Sequence, residues 1–584
     1  MRIDSTATSR PDFDDLQQAR EKTRARWIFA GLVLLVLIWF LFQLFGPQGG
    51  IVVSKETTFI TEPLGEDGLP DYGAFLLNRA SEGVTPQNNA AVLTWQAMWP
   101  GELEQEHWLP MADALGLKTI PSAEDSLVRP YDQSVRKEIA RWLTEQFSKT
   151  LEGEAAERLL GVDWQARLEQ ETADNLIGAA MERPWTSDQI PALARWVEDN
   201  RRPLELLVEA SARPHFYSPS PTLIDNSDKS LIEMLLPAVQ GMRSGVRALK
   251  ARAMWHLGEG RTAEAWQDLL ACHRLARLVP RGNTLVEQLI AIAIDGVACR
   301  GTITLLHHGN LSVEQSRAIL ADLLALPRVS SMQQSLDTGE RLFFLDAVLR
   351  MAQGKMQGQD MSGPGAGPLQ AVSFVAIDWN HILREGNRWY DRFSKALELP
   401  RDERKKEFQQ IDNDLQQIAA AAKRPGMVIG GIFSRQRRSQ MISNILASLF
   451  LPALESAAYA EDRSIAILDM TRVAAALAVY RAEHGEYPEQ LAVLTPEILP
   501  EVPLDLYSGA PLIYERKADG GYLLYSVFEN GTDERGTSQA DQIVDGEWVD
   551  APPEGLRRDT SDLVIRVPEP AFKLPDPPTI EEWP

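Results

Sequence analysis

The chain has eight histidines, and their spacing matches no familiar catalytic or zinc-binding motif. A His-Glu-x-x-His helix would place two imidazoles one turn apart, and that spacing is absent. The Gly-x-Ser-x-Gly elbow is also absent, and the glycine-rich run at 363–367 lacks the Lys-Ser/Thr pair of a phosphate-binding loop. We therefore expect no catalytic activity; a hydrolase with an unrecognised site is an alternative. The histidines are His107, His215, His256, His273, His307, His308, His381 and His484.

Two clusters of polar residues have the spacing of a helix face. The first comprises Asp378, His381, Glu385 and Arg388. Its members lie three or four residues apart, so a helix would place them on one side. Such a face is either a polar binding groove or a set of ion pairs beside buried tryptophans, and we expect ion pairs. A second cluster has the same two interpretations and the same expectation. Its members are Glu340, Arg341, Asp346 and Arg350.

An uncharged run from Trp27 to Phe45 is long enough to cross a membrane, and Gln43 is its only strongly polar side chain. At 1.5 Å per residue, a helix of this length spans the ~30 Å hydrocarbon core of a bilayer. The run is longer than the roughly 7–15-residue apolar core of a signal peptide, and no small-x-small cleavage site follows it. We predict a retained transmembrane helix. The apolar segment at 441–454 contains polar residues and predicts a buried helix instead.

The charges beside this run predict its orientation. Four cations lie just before it against a single acid, whereas Lys55 is the only cation in the twenty residues that follow. Because Lys and Arg collect on the cytoplasmic side of membrane proteins, we expect a cytoplasmic N-terminus and an extracytoplasmic bulk. The predicted location is the bacterial inner (plasma) membrane. The four cations are Arg20, Lys22, Arg24 and Arg26.

The net charge of −23 argues against nucleic acid as a partner, because the phosphate backbone favours basic surfaces. Apolar residues make up 44% of the chain and charged residues 24%, which is ordinary for globular protein. The acidity is therefore best explained as a means of keeping a large folded region soluble.

The two cysteines, Cys272 and Cys299, are predicted to be free and buried. They lie on two predicted antiparallel helices joined near residues 280–282, but at different distances from the turn. This difference separates them by roughly 10 Å along the helix axes. A disulfide needs Cα atoms within about 7 Å, so the two thiols should not meet.

Changes in composition indicate the domain organisation. The segment 351–368 is rich in Gly, Gln, Met and Pro and cannot bury enough apolar surface to fold alone. We predict a mainly α protein, an irregular helical bundle or repeat-like region after one transmembrane helix, with a small α+β domain near the C-terminus. The predicted parts are a cytoplasmic tail at 1–26, the transmembrane helix at 27–45, a helical extracytoplasmic domain at 46–350, a flexible linker or loop at 351–368, a helical segment at 369–460, the α+β domain at 461–568 and a disordered tail at 569–584.

The best-defined helices are predicted between Leu231 and His307. Apolar residues recur there at steps of three and four, in three runs separated by turns at 258–260 and 279–282. Three antiparallel amphipathic helices with short turns form a bundle or a helical-repeat segment. The first turn, with Ala263 to Trp266 after it, resembles the turn inside a tetratricopeptide repeat, but no second copy follows at a period of about 34 residues.

Residues 463–568 combine a helix with strand-like segments. The helix ends at His484-Gly485, and the runs 511–514 and 521–527 have the composition of strands. Asp519-Gly520-Gly521 between these runs suits a hairpin turn. An acidic loop begins at Asn530.

This C-terminal region resembles the globular domain of the major pseudopilin of type II secretion systems. The resemblance covers about 105 of the 584 residues and implies a helix packed on a small antiparallel sheet. The whole chain is also similar to large, uncharacterised bacterial proteins with a single-pass membrane anchor. Four motifs carry the pseudopilin resemblance: Leu477 to Pro488, Asp505 to Gly509, Tyr522 to Val527, and Asn530-Gly531.

Major pseudopilins often bind calcium in the loop after their last strands, so the resemblance implies a calcium site here. The corresponding oxygen-bearing residues would be Asn530, Asp533, Asp541 and Asp562. Calcium takes roughly six to eight oxygen ligands, and these residues lack a strict spacing. The run 532–534 is equally typical of a solvated turn. We expect no other cofactor.

These observations predict a single-pass membrane protein that acts as a non-enzymatic envelope scaffold or protein-interaction protein. The second hypothesis is an accessory component of a type II secretion or type IV pilus system, with the C-terminal module contacting pseudopilins. The expected partners are the lipid bilayer through 27–45 and other envelope or secretion proteins, with no nucleic acid.

Overall fold

The structure is a computed structural model, and it describes most of the chain. The described residues are 13–47, 49–101, 103–122, 124–151, 161–224, 230–234, 236–279, 284–329, 331–355, 375–422, 434–537, 542–544, 547–549 and 561–575. Helices account for 63% of the described residues and strands for 4%, which confirms the prediction of a mainly α fold.

The helices are numbered in chain order. They are α1 Phe13–Phe45, α2 Tyr72–Ser81, α3 Ala90–Met98, α4 Trp108–Ala114, α5 Gln133–Phe147, α6 Val162–Arg167, α7 Ala173–Glu182, α8 Pro191–Asp199, α9 Arg201–Ser211, α10 Pro221–Ile224, α11 Pro237–Gly258, α12 Thr262–Leu278, α13 Leu285–His308, α14 Val313–Ala325, α15 Met332–Ser335, α16 Arg341–Ala352, α17 Trp379–Glu398, α18 Arg401–Ala422, α19 Arg435–Phe450 and α20 Pro452–His484. The strands are β1 Ile513–Arg516, β2 Tyr522–Ser526, β3 Gln542–Val544, β4 Glu547–Val549 and β5 Leu563–Val567.

Side-chain caps explain where several helices begin. The hydroxyl of Thr284 accepts the backbone N–H of Glu287 at 3.1 Å, and the Glu287 carboxylate accepts the backbone N–H of Thr284 at 2.9 Å. This reciprocal capping box satisfies two N–H groups that the first turn of α13 cannot pair internally. Ser312 and Gln315 form the same motif at the start of α14.

The described chain divides into two compact units that do not follow chain order. The first comprises 1–70, 344–393 and 405–452, and the second comprises 71–343, 394–404 and 453–584. The predicted domain boundaries at 350 and 460 stay predictions.

The three antiparallel helices predicted between 231 and 307 are confirmed as α11, α12 and α13. Their apolar faces are part of the core of the second unit, and both cysteines are buried and free, as the axial offset indicated. Gly258 ends α11 at a close contact, since a Cβ there would lie 1.9 Å from the carbonyl oxygen of Trp185. The space between the two backbone segments therefore admits only the hydrogen of glycine at this position.

The small sheet has the strand order β1-β2-β5 and is antiparallel throughout. Leu524 lies opposite Tyr514 on one side and Ile565 on the other. β3 and β4 form a separate two-stranded ladder. Side chains of α20, including Val473 and Leu477, share a buried cluster with the sheet. A helix against a small antiparallel sheet is the arrangement that the pseudopilin resemblance implies; the resemblance itself stays a prediction.

The same buried cluster continues from this C-terminal module into the helical part of the second unit. Arg472 of α20 donates to the carbonyls of Leu323 at 3.2 Å and Leu326 at 3.0 Å, where α14 ends. Because α20 is 33 residues long, it presents one stretch to the sheet and other positions to the bundle.

Within the described residues, three segments are long and apolar enough, by length and composition, to cross a membrane. In Trp27–Phe45 none of the apolar window is buried, whereas 61% is buried in Leu285–His308 and 56% in Arg435–His484. More than half of each of the last two windows is therefore buried within the protein, and both stay candidate spans by length and composition.

Some predictions fall partly outside the described residues. Asp541 does, and so do 356–368 of the predicted linker and 576–584 of the predicted tail. Glu569, the first residue of that tail, is described, and its side chain is only 16% exposed beside Arg183.

Candidate functional site

The C-terminal end of α1 is hydrogen-bonded to the first unit. The backbone N–H of Ala376 donates to the carbonyl of Leu44 at 2.8 Å, and the guanidinium of Arg438 donates to the carbonyl of Gln43. Arg435 donates to the carbonyl of Pro47 at 3.1 Å. We call this set of contacts the anchor junction.

Electrostatics explain why these groups meet. The last carbonyls of a helix have no internal partner and carry a partial negative charge, and α1 has no basic residue in its last turn. The first turn of α19 holds Arg435, Arg437 and Arg438 and no acid, although cations are disfavoured at a helix N-terminus. At the anchor junction, arginines from the first turn of α19 donate to carbonyls at and just after the end of α1 and offset their partial negative charge. Burial lowers the pKa of Arg438, and neighbouring Arg435 adds to the effect.

Two asparagines of α17 hold the segment that follows α1. The Asn380 amide accepts the N–H of Val52 at 2.8 Å and donates to the carbonyl of Gly50 at 2.9 Å. Asn387, two turns later on the same face, donates to the carbonyls of Glu56 at 3.0 Å and Thr57 at 2.9 Å. These four hydrogen bonds tie an otherwise irregular chain to a helix. Sequence reasoning missed this role, and the seven-residue spacing of the asparagines was the available signal.

The first predicted polar cluster surrounds these asparagines and contains the expected pairing. Glu385 pairs with Arg388, and the Asp378 carboxylate accepts the N–H of His381 at 3.1 Å. Nε2 of His381 lies 2.9 Å from the side-chain oxygen of Gln440. The polar side chains thus bond to their neighbours instead of facing an open groove.

The second predicted cluster is paired as well. Arg350 and Asp346 form an ion pair at 3.0 Å, and Arg341 pairs with Asp337 at 2.7 Å. The Glu340 carboxylate accepts the N–H of Leu285 at 3.2 Å, and burial raises its pKa.

The predicted calcium residues do not meet as one group in the described chain. Asn530 and Asp533 are exposed, and Asp533 accepts the hydroxyl of Tyr525 at 2.9 Å. Asp562 is buried and accepts the N–H of Gly536 at 2.8 Å. The Asn530 amide donates to the Glu534 carboxylate at 2.7 Å, and the calcium site itself stays a prediction.

Asp562 instead faces Glu534, which the sequence analysis did not select. One oxygen of each carboxylate, Oδ1 of Asp562 and Oε2 of Glu534, is buried and has no donor among the residues that the structure describes. Burial raises the pKa of Asp562 to about 7, and the Glu534 carboxylate adds to the rise. Two adjacent carboxylates need a shared proton or a cation between them. The donor chemistry fits a hard cation such as calcium, with fewer ligands than calcium requires.

A buried polar network lies inside the bundle of the second unit. Nδ1 of His273 is 2.9 Å from Asp295, and Nε2 is 3.0 Å from the Thr302 hydroxyl. A hydroxyl, imidazole and carboxylate in series is the order used in nucleophilic catalysis. Here all three side chains are at most 1% exposed, and Arg277 pairs with Asp295. The network therefore cross-links α12 and α13 out of reach of any substrate.

Cys299 lies near this network, and its Sγ, a His273 nitrogen and an Asp295 oxygen lie within 4.8 Å of one another. A metal would need a thiolate, but burial raises the pKa of the Cys299 thiol far above its usual value. The guanidinium of Arg277 already forms an ion pair with the Asp295 carboxylate. The donor set is consistent with a hydrogen-bonded core.

Two surface cavities of the second unit each have a volume of about 510 Å³. One lies beside the repeat-like turn and is lined by charged residues that largely pair with each other, including Arg252 with the buried Asp268. The other lies in the C-terminal module beside β1 and is mostly apolar, lined by Pro500, Val502 and Leu504.

Comparison of the chain with protein-family models, with curated proteins and with solved structures finds no match.

Proposed function

We propose that this chain is a single-pass membrane protein that holds a folded, non-enzymatic interaction module at the bacterial inner membrane. The observation that carries the proposal is α1: its apolar window is entirely uncovered, and its C-terminal end is hydrogen-bonded to a folded unit. An uncovered apolar helix of this length requires a lipid environment.

The anchor junction supports a positioning role. A loose tether would leave the residues after the helix unpaired, whereas Asn380 and Asn387 hold them at four backbone positions. Force or displacement applied to the first unit would therefore reach α1 directly. A scaffold needs this kind of stiff attachment.

The apolar groove beside β1 supports protein contact. Leu504 is 60% exposed in it, and Val493 nearby is 53% exposed. Glu501 adds negative charge to the lining. The groove would take an apolar segment of another envelope protein that carries a basic residue beside the apolar contact.

Membrane attachment and orientation are tested with a C-terminal epitope. We expect alkaline carbonate to leave the protein in the membrane, and protease to remove the epitope once the outer barrier is opened and before the inner membrane is lysed. Extraction by carbonate would remove the membrane proposal. Protection of the epitope until lysis would reverse the orientation.

The contact surface is tested by placing a photo-crosslinking residue at Leu504 in cells. A discrete crosslinked product is expected there and not at Leu109, a leucine of nearly equal exposure, 61%, on α4. Equal labelling at both sites, or at neither, would contradict a docking role for the groove.

A second candidate is an accessory role in a type II secretion or type IV pilus system. The antiparallel sheet against α20 favours it, because this is the arrangement that the pseudopilin resemblance implies. Under this candidate the Leu504 crosslink contains a pseudopilin. A crosslinked partner from outside such systems would leave only the general scaffold.

A hard cation such as calcium at Glu534 and Asp562 belongs to this proposal as a stabiliser of the C-terminal module. The two orphaned carboxylate oxygens support it.

A further inference from the structure

We propose that a polar cavity at the ends of α13 and α20 binds a phosphate group through His307, Ser316 and Arg481. The cavity has a volume of about 290 Å³ and lies within the second unit. This site adds a ligand to the proposed interaction module and does not depend on the membrane location of α1.

Three different helices bring the polar lining of this cavity together. His307 belongs to the last turn of α13, Ser316 to α14, and Arg481 to the last turn of α20. Asn310 and Leu311, between α13 and α14, also line it. Because the three polar side chains come from separate helices, they can approach one bound group from different directions.

Two of these side chains have buried polar atoms that lack a partner. Nδ1 of His307 and the hydroxyl of Ser316 make no hydrogen bond to the residues that the structure describes. Ser316 is 0% exposed. An unpaired buried polar group is unfavourable, and both residues line the cavity, so a polar group inside the cavity is the expected partner.

Arg481 adds a positive charge to the lining. One of its N–H groups donates to the hydroxyl of Tyr487 at 3.1 Å, and the guanidinium lies 5.0 Å from the centre of the Tyr487 ring. Among the described residues, Arg481 forms no ion pair with a carboxylate. A hydroxyl and a ring orient the guanidinium without neutralising it, and its remaining N–H groups can bind an anion.

The charged neighbours of His307 favour an anion as well. Burial lowers the pKa of His307 to about 4, and three bases, His308, Arg481 and Arg183, add to the effect. The Glu569 carboxylate lies 4.0 Å from both Arg183 and His308 and offsets part of their charge. Arg481 keeps its charge, so the imidazole of His307 stays neutral until an anion enters the cavity.

Other titratable groups at these helix ends already have partners. The Glu483 carboxylate accepts from Arg317 at 2.7 Å, and Nδ1 of His484 lies 3.0 Å from a backbone carbonyl one turn back. Glu314, in the first turn of α14, accepts the hydroxyl of Ser312 at 2.8 Å. None of these contacts supplies a counter-charge to Arg481.

A tetrahedral oxyanion suits this set of donors better than a carboxylate does. A carboxylate presents two oxygens in one plane, whereas phosphate presents oxygens in several directions. Guanidinium and hydroxyl groups are common phosphate ligands, and an imidazole that gains a proton supplies a second positive charge. The cavity volume is close to the ~300 Å³ of a small ligand pocket, so the ligand is free phosphate or a small phosphate ester.

Equilibrium dialysis of radiolabelled sulfate against the full chain in a neutral detergent tests the site. Sulfate is tetrahedral, and its charge does not change between pH 5 and pH 7. We expect saturable binding of one sulfate per chain. The bound anion should return the pKa of His307 toward its ordinary value, so binding takes up a proton, and the affinity should rise about tenfold from pH 7 to pH 5.

Three variants separate the contributions of the lining residues. Arg481→Gln should weaken sulfate binding about tenfold at both pH values, because a hydrogen bond to a charged group is lost. His307→Gln should remove the pH dependence, which a merely structural role would not do. Ser316→Ala should weaken binding about threefold and keep the pH dependence. Thermal unfolding of each variant checks that it is folded.

The matched control is Arg317→Gln, next to Ser316 on α14, because the Arg317 charge is already paired with Glu483. It should leave sulfate binding unchanged. Non-saturable binding by the wild type, equal weakening in the control, or a pH dependence that survives His307→Gln would overturn the proposal. Inorganic phosphate and glycerol phosphate then distinguish the source: tighter binding of the ester identifies a small phosphate ester as the ligand, and equal binding identifies the free ion.

Discussion

At the scale of single residues, the buried charges have the largest consequences. Lys250 is 1% exposed, and its ammonium lies 2.6 Å from the Glu182 carboxylate. Burial lowers the pKa of Lys250, and the nearby Glu182 carboxylate offsets part of that shift. The Glu182 side chain is 38% exposed and also lies 3.8 Å from Arg300. The two partners are therefore unequal: one is sealed inside the protein and the other reaches water.

This difference in exposure predicts that replacing Glu182 and replacing Lys250 lower the free energy of unfolding by different amounts. Glu182→Gln leaves a sealed ammonium without its directly paired counter-charge and should lower the free energy of unfolding by about 3 kcal/mol. Lys250→Met keeps the aliphatic stem and leaves a carboxylate that reaches solvent, so we expect a loss below about 1.5 kcal/mol. Chemical denaturation of both variants measures the difference, and equal losses would contradict it.

The carboxylate pair of Glu534 and Asp562 also makes a residue-scale prediction. Calcium should raise the melting temperature of the wild type, because a ligand that binds only the folded state stabilises it. Asp562→Asn should abolish the shift. Asp533→Asn should retain it, because Asp533 is exposed and outside the pair. A shift lost in the Asp533 variant and kept in the Asp562 variant would place the ion on the loop residues.

At the scale of elements, helix ends decide several of the contacts. The capping box of α13 uses Glu287, which is buried, and burial raises its pKa to about 7. The equivalent position in α14 is Gln315, so a neutral amide can perform the same capping. The α13 cap is therefore the one that depends on pH.

We predict that Glu287→Gln stabilises the protein at pH 8. An acid whose folded pKa exceeds its unfolded value stabilises the fold at low pH, and that contribution is lost as pH rises from about 4.5 to about 7. The gain at pH 8 should be up to about 3 kcal/mol and should vanish near pH 4.5. Denaturation at several pH values checks this. Glu264→Gln, an exposed first-turn acid of α12, should show no such trend.

At the scale of the whole molecule, the second unit has one continuous core. Its C-terminal sheet, α20 and the bundle contribute to the same buried cluster, and Arg472 connects α20 to the end of α14. Parts that share a core are expected to unfold together.

Cooperative unfolding can be tested with Arg472→Met. The variant loses two hydrogen bonds to carbonyls, so we expect about 1–3 kcal/mol less stability. Amide exchange in α12 and amide exchange in β2 should report the same transition in the wild type and in the variant. Lys517→Gln, on the surface after β1, should change neither. Separate transitions for the sheet and the bundle would show two independent cores.

The sequence by itself determined the local properties of this protein. Periodicity predicted the bundle helices, because the apolar residues on one face of a helix recur every three or four positions. The uncharged run predicted α1, and the axial offset predicted free cysteines. These conclusions needed only neighbours in the chain or simple helix geometry.

Only the tertiary structure decided which distant residues meet. It brought Glu534 to Asp562, Arg438 to the end of α1, and Asn380 to the segment behind it. The partners of Arg438 and Asn380 lie hundreds of residues away along the chain. No local pattern encodes such pairs, because their selection depends on how complete helices pack and which charges that packing leaves to be satisfied.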